Sequence, residues 1–281
     1  MPLVSVIEGL NKAQAGKYAI PCLCTSEQHG TQGIFQALEA KRAPGLLGIY
    51  SGILDRPDIE MVAAQLRSFG KQATVPFSII LDHGADFDHC MRAIQLGFTD
   101  VMYDGSQLPI EENIATTSAI VRVAHAMGVG VEAEIGHVGT GREYAEFGSQ
   151  GKGFSDPDEV VRFVAETGVD CVAVAVGTAH GDYAGEPHLE LDLLAEINER
   201  VEIPLVLHGG SGLSDEQFQA TIERGICKIN IFTAMANEAR RRCKALEGDR
   251  LRYTNYCAAI VEGFQAVAEH CLDVFGASGK A

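Results

Sequence analysis

Nowhere in the chain do apolar residues run for the roughly 18 positions that a membrane-crossing helix needs, so a membrane protein is not expected. The first residues show no basic stretch followed by an apolar one, so no secretory signal is expected and the chain is read as soluble and cytoplasmic. Basic residues are scarce: 22 Lys and Arg stand against 38 Asp and Glu, a net charge of −16. Such a surface repels nucleic acid and anionic lipid, and neither is an expected partner. An anionic substrate would have to be held by local donors and a metal, against the overall field. None of the eight cysteines stand at CxxC spacing, and Cys171 and Cys227 sit inside apolar runs. Reduced, mostly buried thiols are expected, and a cysteine zinc site is not. The sequence has no low-complexity linker and no helical repeat.

What it has is 46% apolar residues over 281 positions, enough for a sizeable core. Eight short apolar runs alternate with amphipathic segments. The runs are 18–24, 45–51, 76–83, 100–104, 128–135, 170–177, 204–209 and 227–232. Several are almost continuously aliphatic or β-branched, as parallel strands buried on both faces are. Between them, Asp86–Leu96 and Pro157–Thr167 have helical patterning and an acidic start. Eight strands alternating with helices in a chain of this length predict an α/β fold, a (β/α)8 TIM barrel, over a doubly wound open sheet. A single domain over 1–281 is expected, with a helical extension at its C-terminus. The stretch GHVGTGREYAEFGSQGKG (136–153) carries six glycines and no apolar period, and is expected to be a mobile loop acting as a lid.

In a TIM barrel the active site lies at the carboxyl ends of the strands. The polar residues there are Asp82-His83, Asp104, Glu132 and Glu134, His180-Gly181, His208-Gly209-Gly210-Ser211, and Asn230 with Thr233. Three of nine histidines, His83, His180 and His208, thus converge on one mouth, and three imidazoles with an open position make a catalytic zinc site. Each could instead be a hydrogen-bonded histidine without metal; His29, His89, His125, His188 and His270 receive that reading. His137 stays open because it begins the lid. The glycines after the sixth and seventh strands let backbone N–H groups approach an anion, with hydroxyls of Ser211 and Thr233 as further donors. Asp82 is a candidate acid/base or a carboxylate that orients a histidine. It can reach the mouth beside His83 only if the strand breaks there, and Gly84 permits that. Lys228 shares the strand parity of Asn230, which leaves a metal-free Schiff-base mechanism as an alternative.

The segments IILDHG (79–84), DVMYDGS (100–106), VEAEIG (131–136), VGTAHGDYAGEPHL (176–189), IPLVLHGGSGL (203–213) and GICKINI (225–231), with the closing FGASGKA (275–281), resemble class II fructose-bisphosphate aldolases. The likeness covers nearly the whole chain and is strongest to the branch of tagatose-bisphosphate and inositol-pathway ketose-phosphate aldolases. The resemblance implies that His83, His180 and His208 hold Zn2+, with Glu134 and Asp104 as acidic positions at the metal. It implies that Asp82 exchanges a proton with the C4 hydroxyl. Gly181, Gly209, Ser211, Asn230 and Thr233 match the pocket for the C1 phosphate and the dihydroxyacetone-like half, beside which the family commonly holds a monovalent cation, Na+ or K+. The proton at C3 falls to a lid carboxylate, Glu143, with Glu146 behind it, although the family's glutamate aligns on or beside Arg142. A homo-oligomer, dimer or tetramer, is implied likewise.

Three positions depart from the family pattern, all on the substrate side. The first strand ends Leu23-Cys24 where the family has Phe-Asn. Phe232 stands where a small or acidic residue is usual. The arginine that meets a distal phosphate falls on Thr254, leaving Arg250 or Arg252 as substitutes. Cys24, Phe232, Arg250 and Arg252 are therefore the candidates for contact with the distal group, and the expected activity is aldol cleavage of a ketose 1-phosphate or 1,6-bisphosphate with an altered aldehyde half. A non-catalytic barrel subunit and a metal-dependent isomerase or epimerase are the competing readings.

Overall fold

The structure is a computed structural model describing residues 3–140, 153–183, 187–248 and 251–281. Eight parallel strands close in sequence order into a barrel: β1 (Ile20–Cys24), β2 (Gly45–Tyr50), β3 (Phe77–Gly84), β4 (Asp100–Tyr103), β5 (Gly130–Ile135), β6 (Cys171–Val174), β7 (Leu205–Leu207) and β8 (Ile226–Ile231). Each of the eight predicted runs matches one strand; β3 extends one residue beyond its run and β8 begins one residue before its own. The helices are α1 (Ile7–Gly16), α2 (Gln28–Lys41), α3 (Ile59–Gln72), α4 (Phe87–Gln95), α5 (Ile110–Ala126), α6 (Pro157–Thr167), α7 (Leu191–Arg200), α8 (Asp215–Glu223), α9 (Thr233–Lys244) and α10 (Tyr253–Val274). Among the described residues no helix is long and apolar enough to cross a membrane.

The helix starts follow local chemistry. Asp86 accepts from the His89 N–H at the head of α4, Asp156 does the same for α6 with proline next in line, and Ser214 with Gln217 makes a reciprocal capping box for α8. Helix α1 precedes the barrel and packs beneath it on β1 and β8 through Leu10 and Ala13. The residues that lead into it are held from across the fold: Asp100 accepts from Val6 N and from Ser5 Oγ, the latter at 2.6 Å. Helix α10 lies across α2 and α9. Gly33 permits this, since a Cβ there would stand 2.3 Å from the Val261 carbonyl oxygen.

Strand residues are buried on both faces, as expected for a barrel inside a ring of helices. Polar side chains nevertheless enter the interior. Glu132, Glu134, Lys228 and Asn230 share one parity on β5 and β8, and all four are buried.

Candidate metal centre and active site

His83, His180 and His208 meet at the carboxyl end of the barrel. His83 Nε2 lies 3.1 Å from His180 Nε2 and 2.9 Å from His208 Nδ1. Each ring's other nitrogen is taken by an oxygen acceptor: Asp104 Oδ2 for His83 at 2.8 Å, the Val138 carbonyl for His180 at 3.1 Å, and Glu132 Oε1 for His208 at 2.8 Å. Those acceptors draw the N–H of each neutral ring outward and leave its lone pair facing the other two. Three lone pairs at such separations repel unless a positive charge lies among them. Buried Glu134 adds to this, since its Oε1 accepts from Val138 N at 3.0 Å while Oε2 has no hydrogen-bond partner. The His83, His180 and His208 donor atoms lie within 4.8 Å of one another, as do those of His83, Asp104 and Glu134. Imidazole and carboxylate donors around one point fit a divalent transition ion.

The electrostatics agree. Burial disfavours charge on His83, but Asp82 and the bond to Asp104 outweigh it and push the ring up to about 9. Burial, then the neighbouring rings, push His180 down to about 4. Burial and the Asp104 charge push Glu134 up to about 8. A proton on His83 and a bound metal ion would compete for the same ring lone pair.

The strand break that brings both Asp82 and His83 to the mouth falls at His83 itself. His83 has φ +54°, and the β3–β4 register shifts between Leu81 and Gly84. Gly84 serves close packing, since a Cβ would stand 2.5 Å from the Met102 carbonyl oxygen. Asp104 orients His83 and accepts from Ser106 Oγ at 2.7 Å, and its carboxylate stands with His83 and Glu134 in the second possible metal-binding group.

Asp82 stands beside the rings with both oxygens engaged. Asn230 Nδ2 donates to Oδ1 at 2.8 Å, and the Cys24 thiol to Oδ2 at 3.4 Å. Burial would raise this carboxyl, but His83, His208, Lys228 and His180 together hold it below its ordinary range. It is a carboxylate, able to accept a proton. Lys228 is fully buried against Glu132 at 2.8 Å. Burial would lower its ammonium, yet the Glu132 charge overcomes that and holds it above the ordinary lysine range. A Schiff-base lysine needs the opposite shift, so the metal-free alternative loses its nucleophile.

A cavity of about 840 Å³ opens above this cluster. Gly181, Gly209, Ser211, Asn230 and Thr233 line it, as do Cys24 and Phe232. Gly209 has φ +69°, and a Cβ there would stand 2.5 Å from the Ala179 carbonyl oxygen. Ser211 Oγ accepts from Phe232 N and Ala234 N at the start of α9, which leaves its proton free to donate. Arg252 is exposed ahead of α10 and is not brought to the cavity. Arg142, Glu143, Glu146 and Arg250 lie outside the described residues.

Three contributors escaped sequence reasoning. Tyr183 Oη accepts from Ala179 N and donates to the Gly209 carbonyl, both at 2.8 Å, tying the turns after β6 and β7. Val138 offers its N–H to Glu134 and its carbonyl to His180. Glu132 was visible as an acid near the mouth, but not as the partner of both His208 and Lys228. Only its inward strand parity pointed there.

The fold and this cluster define a (β/α)8 barrel with a candidate metal centre at the carboxyl ends of its strands. The family model of class-II fructose-bisphosphate aldolases matches residues 4–280, and the chain belongs to that family: it is a class II aldolase, a carbon–carbon lyase. It is 38% identical over 289 residues to a probable fructose-bisphosphate aldolase of Bacillus subtilis, covering 100% of both chains. It is also 38% identical over 287 residues to the 6-phospho-5-dehydro-2-deoxy-D-gluconate aldolase of Halalkalibacterium halodurans, covering 100% of this chain and 99% of the other. The crystal structure of the YdjI aldolase from Escherichia coli K12 superposes with a TM-score of 0.89 at 29% identity, covering 99% of each chain.

Proposed function

We propose that this aldolase uses zinc to break and form the C3–C4 bond of a ketose 1-phosphate, giving dihydroxyacetone phosphate and an aldehyde, and that its preferred ketose is not fructose 1,6-bisphosphate. The observation that carries the chemistry is the convergence of three imidazole lone pairs beside an ionised carboxylate, at the head of one cavity. His83, His180 and His208 would hold the ion, with Glu134 as a further oxygen donor. When bound, such an ion is a Lewis acid that stabilises negative charge developing on oxygen as the carbon–carbon bond breaks.

The protein's own groups divide the remaining work. Asp82 takes the proton of the C4 hydroxyl in cleavage and returns it in condensation. Asn230 and Cys24 hold its two oxygens, so the carboxylate meets substrate in one orientation. The N–H groups around Gly181 and Gly209, the hydroxyls of Ser211 and Thr233, and the N-terminus of α9 make the cradle for the C1 phosphate, with a monovalent cation beside it. Glu143 is assigned the proton at C3.

The substrate reading rests on the rest of the cavity wall. Among its described lining residues there is no lysine or arginine, while Tyr50, Ile53, Leu108 and Phe232 give it an apolar side. A second phosphate would find no counter-charge among these described residues, whereas an uncharged end would need none. The relative named for a deoxygluconate phosphate lends weight to a non-standard ketose. The test is a cleavage screen over ketose mono- and bisphosphates, run with chelator and with zinc restored. A ketose 1-phosphate lacking a terminal phosphate should give the highest kcat/KM, and chelator should abolish its cleavage. Fructose 1,6-bisphosphate ranking first would refute the substrate reading; chelator-insensitive cleavage would refute the zinc.

A further inference from the structure

Lys228 is fully buried, yet it does not line the cavity. A buried ammonium persists only where partners compensate for its lost hydration. Lys228 has two. Its Nζ lies 2.8 and 3.0 Å from the two Glu132 oxygens and 2.8 Å from Asn230 Oδ1. Each partner then reaches a different part of the site. Glu132 Oε1 accepts from His208 Nε2 at 2.8 Å, and Asn230 Nδ2 donates to Asp82 Oδ1 at 2.8 Å.

The ammonium settles which way the Asn230 amide faces. With its oxygen on Lys228, the amide has only its NH2 to offer Asp82. Turned over, it would aim donors at a cation and set its oxygen against a carboxylate. The same ammonium keeps Glu132 charged inside the barrel, and so keeps a strong acceptor behind His208.

We propose that Lys228 is a positioning residue that aligns the acid/base carboxylate and one metal-binding imidazole together, through the separate arms Asn230–Asp82 and Glu132–His208. Its functional meaning rests on the zinc-aldolase reading above; the alignment itself does not.

The test compares Lys228→Met with wild type. Circular dichroism and urea melting report folding. Since Glu132 is left without a counter-charge, Lys228→Met with Glu132→Gln is the second variant, with both charges removed. Metal-free crystal structures should show the Asn230 amide turned away from Asp82 in both variants, and Glu132 withdrawn from His208 in the single one. Zinc affinity, by competition with a chromogenic chelator, should weaken about 10- to 100-fold in Lys228→Met. Its kcat at saturating zinc should fall on the order of 100-fold. Asn230→Ala should lower kcat while zinc affinity stays within about threefold, and adding it to Lys228→Met should lower kcat little further. The proposal is overturned if the Lys228→Met crystal keeps both contacts, or if zinc affinity or kcat stays within about threefold of wild type. Should wild type bind no zinc, the preceding reading fails, and the metal-free crystal structures still decide the role of Lys228.

Discussion

His83 carries its ring into the cluster at φ +54°, a left-handed backbone in which an L side chain costs of order 1–3 kcal/mol. The strain has a use. With extended backbone, His83 and Asp82 would face opposite sides of the sheet; with His83 left-handed, both reach the cavity. Asp82 is the residue whose role separates most cleanly from metal binding, because its oxygens go to Asn230 and Cys24. Asp82→Asn should keep the zinc content of wild type and lower kcat by roughly 10²–10⁴-fold, since an amide cannot take the hydroxyl proton. Metal analysis and steady-state cleavage on the same preparation check this, and a kcat within tenfold of wild type would exclude Asp82 as the base. At this scale the sequence disclosed which residue types stand at the strand ends, and strand parity gave Lys228 an inward direction. It could not disclose which nitrogen of each ring faces its neighbours. Nor could it show that Asp104 would orient His83, because both depend on distances across the barrel.

The strands were legible because each is buried on both faces and so reads as an unbroken apolar run, and the caps of α4 and α6 were legible as Asp86 and Asp156. Helix α1 was not anticipated, since its short apolar stripe of Val6, Leu10 and Ala13 has no capping side chain of its own. The residues leading into it are held instead by Asp100, 94 residues away at the start of β4. Burial pushes the Asp100 carboxyl up to about 6 from 3.8, even though Ser5, Thr99 and Val6 donate to it. Between those values the folded chain holds a proton that the unfolded chain has released. Stability contributed by this group therefore falls as pH rises through the window, by ~3 kcal/mol in all. Urea melts of wild type and Asp100→Asn at pH 4 and pH 6.5 isolate it. Wild type should lose about that much relative to the variant, and a difference independent of pH would refute the assignment.

At the scale of the whole molecule, a chain of net charge −16 must admit an anionic sugar phosphate. The cavity wall helps little, since its described lining residues include Asp82 and Asp104 but no lysine or arginine. On the proposed reading, attraction begins only near the metal and where backbone N–H groups, hydroxyls and the α9 terminus come within hydrogen-bond reach, and an approaching anion first meets repulsion. Salt shortens the range of that repulsion from about 30 Å at 0.01 M to about 8 Å at 0.15 M, while contacts inside the cavity are screened much less. Raising ionic strength across this interval with tetramethylammonium chloride, at constant potassium, should raise kcat/KM by roughly two- to tenfold and leave kcat unchanged. A fall in kcat/KM would mean that the field at the mouth is positive, with Arg142, Arg250 or another cation outside the described residues drawing the substrate in. A second phosphate would then have its counter-charge.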